Sequence, residues 1–293
     1  MLCPVRCVGP GYTAFEHELR KSGWEEGRNL TIERRELDGR YERVAEHAAD
    51  LVRSRPDLIV GPGATIARAL QETTSEIPIV FSFVANPVQL GLVQSLARPG
   101  GNVTGVAAAT PGAFLAKQFE LLRELLPNAR RVAVLANPAN DDHRIALARE
   151  VPMASTLGLQ VSVIEVRAAE EIAAATAKAK EFGAEGLLVL GDPILNTPPS
   201  RVPDLLVQAS IPALYSTPDP VRVGGLMAYM PDMIAIARRH AQYVDRVLRG
   251  ASPAQIPVEQ PTEYRLTVNV KAADALGLTV PPSLLARADE VIE

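Results

Sequence analysis

Apolar residues along the first hundred positions switch between two periods. Tyr12–Gly23 carries Phe15 and Leu19 at helical spacing and ends at a glycine stop. Arg40–Arg55 sets Val44, Ala48, Leu51 and Val52 on one helical face. Strand-like runs lie between these helices. Met1–Cys7 predicts a first strand, followed by a Gly9-Pro10-Gly11 turn, and Asn29–Glu36 alternates Leu30 and Ile32 against polar neighbours. Leu58–Val60 is a short buried run, Ile77–Phe83 a fourth strand, Val88–Leu96 helix-like, and Asn102–Val106 a last short strand. Strands alternating with helices at this spacing imply parallel strands joined by right-handed crossovers.

The pattern then restarts. Pro111–Leu126 predicts a long helix, Arg131–Ala136 a buried strand, Asp141–Leu157 a helix that Pro152 kinks or shortens, and Leu159–Val166 a strand. Ala169–Phe182 is helical, Gly186–Leu190 a strand closed by Gly191-Asp192-Pro193, Pro199–Ala209 a helix and Ile211–Tyr215 a strand. Two βα series of similar length, with no low-complexity linker, predict two doubly wound, Rossmann-like α/β lobes with parallel central sheets. The last third adds a strand at Leu226–Tyr229, a strong helix at Met233–Leu248, an alternating strand at Thr262–Val270, a short helix at Lys271–Leu276 and a terminal segment at Pro281–Ala288. Periodicity alone lets these pack on either lobe.

The stretch Asp57–Leu70 adds chemistry to this layout. A buried strand ends in Gly61-Pro62-Gly63 and feeds straight into a helix, so first-turn amides and the positive end of the helix dipole favour an acceptor-rich ligand. In open parallel sheets ligands bind beyond the strands' carboxyl ends. There the chain places Gly9–Thr13, Gly61–Thr65, Phe83–Pro87, Asn137–Asn140, Gly191–Pro193 and Tyr215–Asp219, loops rich in Asn, Asp, Gly, Thr and aromatics. Each also has a purely structural reading. Asn137-Pro138, Asp192-Pro193 and Asn86-Pro87 are common turns, Thr65 can cap its helix, and Tyr12 and Phe83 can be core or rim residues. The recurrence of polar residues at one end of successive strands favours a ligand cleft.

Charge and composition narrow the function. A formal charge of -4, a pI near 5.7 and 4% aromatics disfavour a nucleic-acid partner. No stretch approaches the roughly 20 apolar residues of a membrane span. Cys3 and Cys7 are too few for a disulfide framework or a zinc site. They could bridge locally, but the expectation is two small residues near a strand end. The four histidines, His17, His47, His143 and His240, lie apart in helical stretches and are expected to be surface or packing residues. There is no G-x-S-x-G or H-E-x-x-H motif, no phosphate-loop lysine and no dinucleotide fingerprint, so neither a catalytic constellation nor a cofactor or metal is expected.

Longer blocks carry a family resemblance. They are Phe15 and Leu19 with Ser22-Gly23-Trp24-Glu25-Glu26-Gly27-Arg28-Asn29, Pro56-Asp57-Leu58-Ile59-Val60, Ile77-Pro78-Ile79-Val80-Phe81, Asn86-Pro87-Val88, and Leu90-Gly91-Leu92-Val93. Arg98-Pro99-Gly100-Gly101-Asn102-Val103-Thr104-Gly105 is the most distinctive. Gly224-Gly225-Leu226-Met227, Ile256-Pro257-Val258, Ala275-Leu276-Gly277-Leu278 and Pro281-Pro282-Ser283-Leu284-Leu285 follow. In this order they resemble the substrate-binding proteins of bacterial ABC importers of the tryptophan/aromatic-amino-acid type.

The resemblance implies a type I periplasmic-binding fold, a three-crossing hinge, and a solute held between closing lobes. It implies a first lobe of residues 1–107 plus 230–254 and a second of 108–229 plus 255–293. It also implies a small polar or aromatic solute of amino-acid or carboxylate type, permease and ATPase partners, and a monomer that is not an enzyme. The first lobe would contribute Tyr12, Gly63, Ala64, Thr65, Phe83 and Asn86, and the second Asn137, Asn140, Asp192, Tyr215 and Thr217. In this reading the amides of Gly63–Thr65 take a carboxylate or other acceptor. Asp192 accepts from an ammonium or hydroxyl, and Tyr12, Phe83 and Tyr215 sandwich an apolar or aromatic part. Read from Met1 no export signal is visible. A leader preceding Met1 places the protein in the periplasm. If Met1 is the true start, the alternative is a cytoplasmic small-molecule sensor of the same fold.

Overall fold

The computed structural model describes residues 1–109, 114–196, 198 and 201–293. The predicted helix starts at Pro111 and Pro199 lie outside the described residues, as does Thr110, the end of the first lobe crossing that the family resemblance implies near Val106–Thr110. The chain divides into two compact units, Met1–Thr110 with Pro231–Thr262 and Pro111–Met230 with Glu263–Glu293.

In chain order the first unit begins with β1 (Leu2–Cys3), α1 (Pro10–Lys21), β2 (Arg35–Glu36), α2 (Val44–Arg53), β3 (Ile59–Pro62), α3 (Ala64–Thr73), β4 (Ile79–Val84) and β5 (Val103–Ala107). The second unit follows with α4 (Phe114–Leu125), β6 (Arg131–Ala136), α5 (Asp141–Ala154), β7 (Gln160–Glu165), α6 (Ile172–Phe182) and β8 (Gly186–Val189). It continues through α7 (Pro193–Asn196), α8 (Arg201–Ala209), β9 (Ala213–Tyr215), α9 (Asp219–Arg222) and β10 (Met227–Pro231). The first unit recovers the chain for α10 (Met233–Leu248), and the second ends it with β11 (Tyr264–Asn269), α11 (Val270–Ala275), α12 (Pro282–Leu285) and β12 (Glu290–Ile292).

In the first unit β3, β4 and β5 are parallel neighbours, and β1 pairs in parallel with β2. Alternation along β4 sends Ile79 and Phe81 to one core with Leu51, Ile66 and Leu70 from α2 and α3. Val80 goes to the other core with Phe15 and Leu19 of α1 and Ile236, Tyr243 and Val244 of α10. His240 lies in that second core, its Nε2 donating to Val80 O at 3.1 Å and its ring 5.2 Å from Phe15. Trp24 donates its indole N–H to Asp245 Oδ1 at 2.8 Å, with the Arg249 guanidinium over the ring. Between β4 and β5 the backbones approach closely: a Cβ on Gly105 would stand 2.1 Å from Phe81 O.

Four expectations about this unit are corrected. Residues 255–262 belong to it rather than to the second lobe. Thr104 Oγ1 donates to Ile256 O, Val258 N to Leu96 O, Ala107 N to Glu259 O, and the Tyr243 hydroxyl to Pro257 O. Val88–Leu96 is not helical. Its apolar spacing is folded into turns, with Leu90 N on Asn86 O, Leu92 N on Pro87 O, and Gly91 at φ 70 breaking any helical run. Of the predicted strand Asn29–Glu36 only Arg35–Glu36 pairs as strand. Cys3 and Cys7 are joined in a disulfide, with Cα atoms 5.8 Å apart.

The second unit is built on a seven-stranded sheet in the order β12-β11-β10-β9-β8-β6-β7. β6 shows why both faces are apolar. Val132, Val134 and Ala136 enter a core with Phe119, Leu122 and Leu125 of α4, while Ala133 and Leu135 enter the opposite core with Ile172, Ala175 and Leu206 of α6 and α8. The terminal strand β12 pairs parallel to β11 and was not anticipated from the sequence. Three aromatic rings cluster in this unit: Phe114 opens α4, Tyr229 lies on β10 and Tyr264 starts β11, with ring centroids 5.4–6.1 Å apart.

Candidate functional site

The first unit brings its predicted residues to the carboxyl ends of its strands. Gly63 is the N-cap of α3 at φ 86, a left-handed value that favours glycine, and no atom lies within 4 Å of where a Cβ would be. Its amide is already committed, donating to Ser82 O at 2.7 Å, which corrects the expectation that Gly63 offers its N–H to a ligand. What remains of that expectation rests on Ala64 and Thr65, the first two residues of α3. Phe83 stands at φ 57 within β4, where the pairing with β5 shifts register between Ser82 and Val84. A phenylalanine held in the left-handed region is strained backbone, and such strain concentrates at ligand-handling positions. Next to it the Ser82 hydroxyl is buried without a hydrogen-bond partner. Asn86 follows, itself buried, its carbonyl receiving Leu90 N. Tyr12 sits half-buried in the first turn of α1, and burial, with Glu36 nearby, pushes its phenol up to about 12.

In the second unit β6, β8 and β9 are adjacent and parallel, so the loops that follow them leave the same edge of the sheet. Asp192, 2% exposed, is the hub. Its carboxylate accepts from Asn137 Nδ2 at 3.2 and 3.3 Å, from Asn140 Nδ2 at 3.0 Å and from Ile194 N at 3.0 Å. Two of these contacts fall on each oxygen, so neutral donors occupy the roughly four acceptor positions of the carboxylate. Both asparagines are held at the other end of the amide, by their oxygen: Asn137 Oδ1 takes Ala139 N and Asn140 Oδ1 takes Asp142 N, capping α5. Thr217 lies beside this hub, its Cγ2 3.8 Å from where a Cβ on Gly191 would be, and its buried hydroxyl has no hydrogen-bond partner.

Tyr215 does not join the cluster. Alternation along β9 places it on the same face as Ala213, and its ring is 1% exposed among Leu135, Val189, Leu206 and Val221. Burial pushes its phenol pKa upward. The expectation that it sandwiches a ligand ring is corrected: Tyr215 is a core residue of the second unit.

Two residues that sequence reasoning passed over complete the geometry. His143 receives Asn137 N on Nδ1 at 3.1 Å and meets Gly191 O with Nε2 at 3.2 Å. A carbonyl only accepts and a backbone N–H only donates, so the ring is the neutral Nε2–H tautomer. Burial lowers its pKa, with Asp192 acting in the opposite sense. It thereby ties the β6 and β8 loops together, and its place six residues after Asn137 was the only sequence clue. Gln118 on α4 is wholly buried, with Nε2 donating to Ser216 Oγ at 2.9 Å and to Tyr229 O at 3.1 Å. Among the described residues no group of His, Cys, Asp or Glu is placed to hold a metal ion, and no helix is long and apolar enough to cross a membrane.

Fixed acceptors in the second unit and helix-terminal donors in the first each suit ligand binding. Comparison with known proteins agrees. A family model described as "ABC transporter substrate binding protein" matches residues 11–292. A tyrosine-binding protein of Clostridioides difficile (strain R20291) is 25% identical over 285 residues, covering 94% of this chain and 80% of that one. Among solved structures, an ABC domain from Streptococcus pneumonia in complex with L-Trp is 27% identical, with a TM-score of 0.91 over 99% of this chain and 98% of the other. A conserved domain protein from Vibrio cholerae matches equally well, at 27% identity and a TM-score of 0.91 over 99% and 97% of the two chains. The α/β architecture, with its parallel sheets, is that of type I periplasmic binding proteins. The chain belongs to the ABC transporter substrate-binding proteins, a family of solute binders and not of enzymes.

Proposed function

We propose that this protein is the solute-capturing component of an ABC importer and that its solute is an aromatic amino acid. The observation that carries the reading is the Asp192 carboxylate, 2% exposed at the carboxyl end of a parallel sheet and held by the neutral donors Asn137, Asn140 and Ile194 N. Burying a carboxylate is costly without a compensating charge, which an ammonium group supplies. In the first unit, the start of α3 suits the carboxylate of the same solute. The relatives support the aromatic class, one being a tyrosine-binding protein and another a complex with L-Trp. Capture works by the two units closing on the solute, because contacts to both are complete only in the closed state. The closed form of the monomer is then what the permease, driven by its ATPase, receives. The Cys3–Cys7 disulfide supports a periplasmic location, since such bridges persist in oxidising compartments, and counts against the cytoplasmic sensor.

The test is calorimetry with L-tyrosine, L-tryptophan and L-phenylalanine on the wild type and on Asp192→Ala and Thr65→Ala. Losing a hydrogen bond to a charged group costs about 1.5–3 kcal/mol, so Asp192→Ala should weaken binding by roughly tenfold or more while circular dichroism stays native. A bound solute at about 100 times its Kd should add about 2.7 kcal/mol to stability. Absence of binding by the wild type would reject the solute class, and unchanged affinity in both variants would remove Asp192 and Thr65 from the site.

A further inference from the structure

Gln118 contains an acceptor that the fold buries and does not use. Its side chain is 0% exposed, and its Nε2 donates to Ser216 Oγ and to Tyr229 O. A carbonyl oxygen cannot donate, so the bond to Tyr229 fixes which end of the amide is nitrogen and makes Oε1 the other end. Oε1 is buried and has no hydrogen-bond partner. The residue after its partner Ser216 carries a second unpartnered group. Ser216 and Thr217 follow β9 next to Gly191, and the Thr217 hydroxyl is also buried and unpaired. Ser216, having accepted from Gln118, still carries its own hydroxyl hydrogen to give. Buried polar groups are nearly always satisfied, so two orphans around one serine mark a place where a partner is missing.

The surroundings say what kind of partner. Phe114 stands four residues before Gln118 on α4, hence on the same helix face. Its ring lies 5.9 Å from that of Tyr229, whose carbonyl holds the Gln118 amide, and Tyr264 completes the group. Gln118 is thus bonded to the backbone of one member of the aromatic group and shares a helix face with another, while Asp192 is an acceptor among asparagines. The two suit different ends of one molecule.

We propose that Gln118, with Ser216 and Thr217, forms a specificity subsite on the second unit that takes the ring donor of an aromatic amino acid: the phenolic O–H of tyrosine or the indole N–H of tryptophan. This rests on the proposed function above and sharpens it, because phenylalanine fills the same shape and leaves Oε1 unpaired. A site built to hydrogen-bond a donor discriminates strongly against the analogue that lacks it.

The experiment measures affinities of the wild type and of Gln118→Leu for L-tyrosine, L-tryptophan and L-phenylalanine by calorimetry. The wild type should prefer tyrosine or tryptophan to phenylalanine by roughly ten- to hundredfold. Gln118→Leu should abolish that preference while phenylalanine affinity holds to within about threefold, which also reports that the variant is folded. Should the leucine variant fail to fold, Thr217→Val, which keeps the shape and removes the orphan hydroxyl, should narrow the same ratio. An amide that is purely structural and satisfied by water would lower all three affinities together or none, and either result overturns the subsite. Failure of the wild type to bind any of the three rejects the solute class itself, and the subsite with it. Binding with an unaltered ratio rejects the subsite alone.

Discussion

His240 gives the sharpest test of the physical reasoning, because its environment has a single dominant cause. The ring is 4% exposed, donates one N–H to Val80 O, and has its pKa pushed down to about 4 by burial, a shift that the Val80 carbonyl only partly opposes. In an unfolded chain a histidine titrates near 6.5. As pH falls below about 6.5 the unfolded state therefore binds a proton that the fold refuses, and stability is lost until about pH 4, where the fold takes the proton too. The gap of about 2.5 units at 1.36 kcal/mol each makes the full contribution about 3 kcal/mol, of which about 2.5 kcal/mol falls between pH 7 and pH 4.5. His240→Gln keeps an N–H donor and removes the titration. Its packing loss against Phe15 is independent of pH, so the stability gap between wild type and variant should shrink, or reverse, by about 2.5 kcal/mol on going from pH 7 to pH 4.5. Urea unfolding followed by tryptophan emission reads this directly, since Trp24 is the single tryptophan and lies in the same unit as His240. His143 titrates alike in both proteins and cancels. A gap that stays constant across this pH range would refute the assignment of His240 as a neutral, burial-shifted core residue.

Other substitutions test the frame of the first unit. The Cys3–Cys7 bridge closes a loop with a sequence separation of 4, for which chain entropy alone predicts about 2 kcal/mol. The double variant Cys3→Ser/Cys7→Ser should lower the urea midpoint accordingly, and two titratable thiols in the native protein under oxidising conditions would contradict the bridge. Gly105→Ala puts a methyl 2.1 Å from a backbone oxygen that cannot rotate away, so β4 and β5 must part. The expected loss is about 3 kcal/mol or more, measured by the same unfolding assay, and a loss below about 1 kcal/mol would mean that the strands tolerate the separation.

Local pattern made much of the architecture legible. R-V-A-V-L-A at 131–136 reads as a strand buried on both faces and is one. Asn137, Asn140 and Asp192 stood out as polar residues placed directly after such strands, and the fold brings the three together. Tyr215 shows the limit of the same logic. When both faces of a strand are buried, its last residue can point to a ligand or into the core, and only the packing of α8 and α9 decides. Val88–Leu96 had helical spacing, yet glycine at position 91 and bonds back to Asn86 and Pro87 turned it into consecutive turns. Gln118 was illegible because its partners lie 98 and 111 residues away, and a lone glutamine between Leu115 and Phe119 reads as an ordinary polar position. Residues 255–262 were misassigned for the same reason, their hydrogen bonds reaching back to Leu96, Thr104 and Ala107.

That shared dependence on the end of the chain governs when the protein can fold. The first unit lacks α10 until residue 248 has been made, and without it Phe15, Leu19 and Val80 have no cover. The second lacks Leu266 and Val268 until β11 emerges. A ribosome delivering the chain from its amino end thus completes neither core early, and the two become able to close almost together, within the last few dozen residues. A fragment ending after β5 lacks α10 and so cannot complete the core that holds Phe15, Leu19 and Val80.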